Sequence, residues 1–171
     1  MKVILSEKIA RILKARAQLE RALNLKITNR GKEVTIVGKA EDEYVGEKVI
    51  DALNFGFPFT HAIEIVEQDF LYEVLNIKEY AVSKDLGRIR GRIIGAKGKA
   101  LKVLSDLTGC HLEIKDNEIG IIGPPESIER AQEAVVLIIK GSTHSNVYSH
   151  LEKSRPEEVV DLGLKNPKER L

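Results

Sequence analysis

The chain has 171 residues, 43% apolar and 31% charged, with 27 basic and 26 acidic side chains, a formal net charge of +1 and a single cysteine. That composition excludes a disordered polar chain and a disulfide-stapled miniature, and fits one large or two small globular domains. Without a second cysteine or any Cys/His ligand spacing, and with no apolar run near the roughly 18 residues of a membrane span, it points to a metal-free protein of a reducing compartment, by default the cytoplasm.

Residues 1–39 carry ten basic and three acidic side chains. They open with a short strand, Lys2–Leu5, and a helix from about Glu7 to Leu23, with Ser6 placed to cap it and Ile9, Ile12, Leu13, Leu19 and Leu23 on its apolar side. A hairpin follows: Leu25–Thr28, a turn through Asn29, Arg30 and Gly31, then Val34–Gly38. Residues 40–83 reverse the charge, with two basic and ten acidic side chains. Here a helix is expected from Glu41 to Leu53, with Val45, Val49, Ile50 and Leu53 on one stripe. The acidic run from Glu41 to Glu73 repels RNA and suits a protein partner, or is simply a solvated face.

A strand is expected at Tyr80–Val82. Residues 84–102 then carry seven basic side chains and one acidic. Their amphipathic pattern holds Gly87, Gly91, Gly95 and Gly98, and each glycine inside a helix costs about 1 kcal/mol relative to alanine. Two helices are therefore predicted, roughly Lys84–Ile94 and Lys99–Leu107, joined by Gly95-Ala96-Lys97-Gly98. A second hairpin follows, Leu112–Lys115, a turn at Asp116-Asn117, and Ile119–Gly123. It leads into a helix over Glu126–Lys140, with Ile128, Ala131, Val135 and Ile138 or Ile139 inward.

The two hairpins, each ended by a glycine and followed by a helix, are an internal repeat. Each unit reads strand, helix, helix, strand, strand, helix: an α+β layer with helices on one face of a three-stranded antiparallel sheet. The units are placed at residues 1–74 and 75–150, with a charged tail at 151–171.

The joint between the two basic helices is where chemistry is expected. A turn between helices exposes unpaired amides and a helix N-terminus, both of which favour an anion, and absent Cβ atoms let a phosphate approach. Lys97 and Lys99 add charge, and Arg88, Arg90, Arg92 and Lys102 gather around them. Alternatively the glycines only cap one helix and space it from the next. A nucleotide phosphate loop does not fit, because Ile93 stands where the first glycine of such a loop belongs and Ala100 where its hydroxyl residue belongs.

The run Ile93-Ile94-Gly95-Ala96-Lys97-Gly98-Lys99-Ala100-Leu101, with Leu104, Leu107-Thr108-Gly109 and Leu112-Glu113-Ile114, resembles the core of a KH domain. The resemblance implies two tandem type I KH-like modules and a GxxG loop that clamps about four backbone nucleotides. It also implies an apolar groove for bases at Ile89, Ile93, Ile94, Leu112 and Ile114, each of which reads equally as core. The first unit has no glycine from Ser6 to Asn24, so it resembles a degenerate module whose Arg11, Lys14, Arg16 and Arg21 touch phosphate or water.

A degenerate module before a GxxG-bearing one resembles the Dim family of pre-ribosomal proteins, also called Partner of Nob. Gly56-Phe57, Ala62, Asp69 and Leu71 between the units, and Gly141 with Val147-Tyr148 at the end, strengthen the resemblance. It implies binding of single-stranded RNA near the 3′ end of the small-subunit rRNA precursor, beside the endonuclease of late maturation, with no cofactor and no catalysis of its own. His61, His111, His144 and His150 lie apart in sequence and form no catalytic motif, and His111 reads as structural. A protein adaptor that has lost RNA binding is the alternative; it has no need of Gly95 and Gly98.

Overall fold

A computed structural model of the protein describes residues 1–155. The first unit runs β1 (Lys2–Leu5), α1 (Ile9–Leu23), β2 (Lys26–Arg30), β3 (Glu33–Val37) and α2 (Ala40–Phe55). Its antiparallel sheet has the order β1-β3-β2, and Ile4, Ile27, Val34 and Ile36 turn inward on the two-residue period of a strand. Helix α1 covers them with Ile12, Ala15, Leu19 and Leu23, all buried. Where the repeat predicts two helices there is only this one, because nothing between Ile9 and Leu23 interrupts it; Asn24, at φ 52°, ends it. Nor does Ser6 cap it. Lys8 holds the cap position, while Ser6 is fully buried and donates its hydroxyl to Asn54 Oδ1.

Two short helices, α3 (Phe59–Ala62) and α4 (Glu64–Glu67), lead to the second unit. It runs β4 (Leu71–Asn76), α5 (Ile77–Tyr80), α6 (Leu86–Ile94), a 3-10 turn (Ala96–Gly98), α7 (Lys99–Thr108), β5 (His111–Lys115), β6 (Glu118–Gly123), α8 (Pro125–Ile139) and α9 (His144–Lys153). Its sheet is antiparallel in the order β4-β6-β5, the same order as the first.

Several expectations are corrected here. The strand expected at Tyr80–Val82 is β4, paired from Leu71 opposite Gly123 to Asn76 opposite Glu118. The Asn76 side chain then accepts the Lys78 amide at 3.0 Å and turns the chain into α5 before it reaches Tyr80. A unit boundary between residues 74 and 75 would cut this strand. The expected tail loses its first residues to α9, where Thr143 caps the helix and Val147 and Leu151 are buried; residues 156–171 of that tail lie outside the described residues. Among the described residues no helix is long and apolar enough to cross a membrane.

The first unit lies on the outer face of the second sheet, the face turned away from α6, α7 and α8. Phe57 is fully buried there, its ring centroid 5.9 Å from Phe55 and 6.1 Å from Tyr72. Gly120 makes this possible, since a Cβ on it would stand 2.7 Å from the Phe57 ring and 2.8 Å from that of Phe55. Burial raises the pKa of the Tyr72 hydroxyl, so it stays protonated.

The same seam joins two histidines that the sequence keeps apart. The rings of His61 on α3 and His111 on β5 stack at 3.7 Å and 6°, and His111 Nε2 lies 2.6 Å from Glu64 Oε2. Burial first, and then His111, hold the pKa of His61 below its usual value, with Glu64 acting in the opposite sense. The unfolded chain therefore takes up that proton more readily than the folded one, and stability falls as pH drops through about 6.5. Urea melts at about pH 7.5 and about pH 5.5 are expected to show this loss, and His61→Phe to reduce it; an unchanged pH dependence in the variant counts against the assignment.

Candidate nucleic-acid interface

Asp85 starts α6 by accepting the Arg88 amide at 3.1 Å, and the helix runs to Gly95, whose amide still donates to Gly91 O at 2.9 Å. Gly95 then leaves the helix at φ 74°, ψ 176°, a region that is essentially glycine's alone. It has a packing reason as well: a Cβ there would stand 2.6 Å from Ala100 Cβ and 2.7 Å from Ala100 N. Lys97 (φ 54°) and Gly98 (φ 74°, ψ 13°) are left-handed too, and α7 starts at Lys99. Around Gly98 nothing lies within 4 Å of a would-be Cβ, so its outer side is open.

The amides of Ala96 and Lys97 find no backbone acceptor among the described residues. They sit at the N-terminus of a ten-residue helix, where the aligned peptide dipoles leave about half a positive charge. Lys97, Lys99 and Lys102 are exposed beside them, the latter two one turn apart on α7. At the other end of α7, the Thr108 hydroxyl donates to Leu104 O at 2.7 Å and Gly109, at φ 69°, stops the helix. The Thr-Gly pair thus returns the chain into β5.

The remaining candidates divide by their angle around α6, which advances about 100° per residue. Ile89 (6% exposed) and Ile93 (0%) point into the core, as does Leu112 (8%) from β5, so these three are not groove floor. Ile94 is 36% exposed and Ile114 half-buried, and they can meet a ligand. Arg90 shares the Ile94 flank and donates to Asp116 O at 3.3 Å, tying α6 to the β5–β6 turn. Arg88 and Arg92 lie on the opposite flank, lining a cleft of about 510 Å³ with Ile139 and Lys140. Arg92 is a structural residue there: it donates to Ile138 O at 2.9 Å and Ser142 O at 2.6 Å, satisfying carbonyls at the end of α8.

Gly87 and Gly91 are exposed within α6, and a Cβ on Gly91 would meet nothing within 4 Å. They leave bare backbone next to Ile94. In the sequence these two glycines read only as helix breakers, although their spacing of four from one another and from Gly95 puts all three on one flank.

Helices α6, α7 and α8 on a sheet of order β4-β6-β5, with a left-handed GxxG turn between α6 and α7, define a type I KH module. The model for the second KH domain of PNO1, a eukaryotic-type KH domain of type I, matches residues 71–156, and the chain belongs to this PNO1 family. A KH domain-containing protein of Methanocaldococcus jannaschii is 32% identical over 129 residues, 75% of this chain and 54% of that protein. The pre-rRNA-processing protein pno1 of Emericella nidulans is 32% identical over 112 residues, 63% of this chain and 43% of its own length. The chain thus spans about half the length of the curated relatives it matches. In structure it is similar to Dim2p of Pyrococcus horikoshii (TM-score 0.80, 25% identity, 89% of this chain and 98% of that one). It is also similar to a chain in the a/eIF2alpha–aDim2p–rRNA complex from that organism (TM-score 0.79, 25% identity, 89% and 92%).

Proposed function

We propose that the chain binds single-stranded RNA in small-subunit pre-rRNA maturation, near the 3′ end of the precursor, and that it binds without cutting. The observation that carries this is the Gly95–Gly98 turn: open on the side of Gly98, with free amides at Ala96 and Lys97, at a helix N-terminus beside Lys97, Lys99 and Lys102. Amides and cations fix a sugar-phosphate backbone without reading sequence. Bases then lie against Ile94, Ile114 and the bare flank of Gly87 and Gly91. The names of the relatives, which include pre-rRNA-processing proteins and a Dim2p–rRNA complex, support the pathway.

In this reading the first unit is a degenerate KH module acting in the cytoplasm beside a protein partner, the maturation endonuclease. The partner docks on the acidic start of α2, where Glu41 is exposed and Asp42 half-buried next to Tyr44, 58% exposed, while Glu43 is buried and accepts the Gly38 amide. Crosslinking the protein to RNA in cells is expected to enrich the 3′ end of the small-subunit rRNA precursor, on the peptide that carries Gly95–Lys99. Crosslinks spread evenly over cellular RNA, or confined to other peptides, would reject the proposal.

A further inference from the structure

The outer face of the first sheet is bare where its counterpart in the second unit is covered. Directly paired residues point to the same side of a sheet, so the register puts Val3 on that face together with the row Leu5–Glu33–Arg30 and the pair Val37–Lys26. The alternate residues Ile4, Ile27, Val34 and Ile36 are the buried ones. Val3 is 57% exposed, Leu5 73% and Val37 45%, which leaves the β1–β3 half of the face uncovered by any described residue. Single exposed aliphatics are ordinary on a protein surface, but three neighbours on one sheet face mark a contact surface.

The second sheet has the same strand order, and its equivalent face, with Tyr72, Ile122 and Gly120, is closed by Phe55 and Phe57 of the first unit. One of two equivalent faces is thus already covered by protein from within the chain. The bare face has a chemistry of its own. Its aliphatic side chains lie on β1 and β3, while the cations Lys26 and Arg30 stand exposed on β2, and Glu33 is the only acid in the three strands. The same strands hold no aromatic ring, so the face gives a base nothing to stack on and lacks the form of a single-strand RNA site. Across three strands it is about 10 Å wide, which is the width of one α-helix.

We infer that the outer face of the β1-β3-β2 sheet docks an acidic amphipathic helix of a partner protein, its apolar stripe on Val3, Leu5 and Val37 and its carboxylates on the flank that meets Lys26 and Arg30. Charge complementarity decides the occupant. A second copy of this chain would bring two cations and one acid against the same set, and RNA would leave the aliphatic half in water. A helix of the stated kind removes the three aliphatic side chains from water, and its flanking ion pairs set the orientation and weaken with salt. The face lies on the other side of the sheet from α1 and is separate from the Gly95–Gly98 turn, so the inference stands without the RNA-binding reading.

The test titrates the full chain with a synthetic helical peptide of about 18 residues, with leucines at three- and four-residue spacing and glutamates along one flank, and follows the backbone amide resonances. Shifts are expected at Val3, Leu5, Thr35 and Val37. Val3→Thr combined with Leu5→Thr, two exposed changes that suit a strand, is expected to lower the affinity about tenfold. Lys26→Glu is expected to weaken the acidic peptide about threefold at low salt and to strengthen a lysine-flanked one by a similar factor, a readout that stands even if the double variant fails to fold. Wild-type amides that stay unmoved on this face would overturn the inference, as would equal binding of a peptide with the same composition and scrambled leucines. Shifts of the same amides with protein concentration alone would give the face to a second copy, and shifts with single-stranded RNA would give it to RNA; either result contradicts the inference.

Discussion

Gly98→Asp lowers affinity for single-stranded RNA at least tenfold, about 1.4 kcal/mol, and leaves the fold intact. At φ 74°, ψ 13° the position is left-handed, a conformation that aspartate and asparagine tolerate better than other side chains. Nothing lies within 4 Å of a would-be Cβ there, so the substitution meets no clash at that atom. A carboxylate on the residue that precedes α7 stands beside the helix N-terminus and the free amides, where it competes with a phosphate and repels one that approaches. Gly95→Ala is the contrasting case. Its Cβ would collide with Ala100 and its backbone is strained for any L residue, so the variant loses about 1–3 kcal/mol of stability whether or not RNA is present. This separates the two glycines that the sequence treats alike. Gly95 is demanded by packing and says nothing against a pure adaptor, whereas Gly98 is free of packing demands. Fluorescence anisotropy with a labelled oligonucleotide, alongside circular dichroism melts, checks both variants. Wild-type affinity in a folded Gly98→Asp protein would contradict the loop account.

Phe57→Ala costs about 3–5 kcal/mol, the range for truncating a buried aromatic. The ring packs on Phe55, Tyr72 and Gly120, so it closes the core of the first unit and the seam to the second at once. The variant is therefore expected to melt in two steps where the wild type melts in one, because the seam is what makes the units cooperative. Gly120→Val attacks the seam from the other side, driving a side chain into the same rings, and should separate the units similarly. Urea denaturation followed by two probes, one in each unit, resolves the outcome. A single coincident transition in Phe57→Ala, with a loss below about 1 kcal/mol, would show that the seam carries no such energy.

The repeat and the turn are legible in the sequence because both are local. Hairpins declare themselves through β-prone runs around Asn, Asp and Gly, and the GxxG turn through glycines between amphipathic runs. Strand β4 is not legible: its inward residues serve two different partners, Leu75 the core of its own unit and Tyr72 the first unit, within an acidic segment that reads as a connection. Tyr80–Val82 has the composition of a strand but no strand beside it. Arg92 looks like Arg88 and Arg90 in sequence; only the carbonyls at the end of α8, forty-odd residues away, make it structural. In the same way Ile93 and Ile94 differ by one step around α6, and that step divides core from surface. The His61–His111 stack joins elements of different units, and no local pattern announces it.

The most direct measurement is a titration of the isotopically labelled protein with single-stranded RNA, followed through its backbone amide resonances. The largest and earliest shifts are expected at Ala96, Lys97, Gly98 and Lys99, with smaller ones at Gly91 and Ile94. Shifts that leave those four amides unmoved while RNA binds elsewhere would contradict the account.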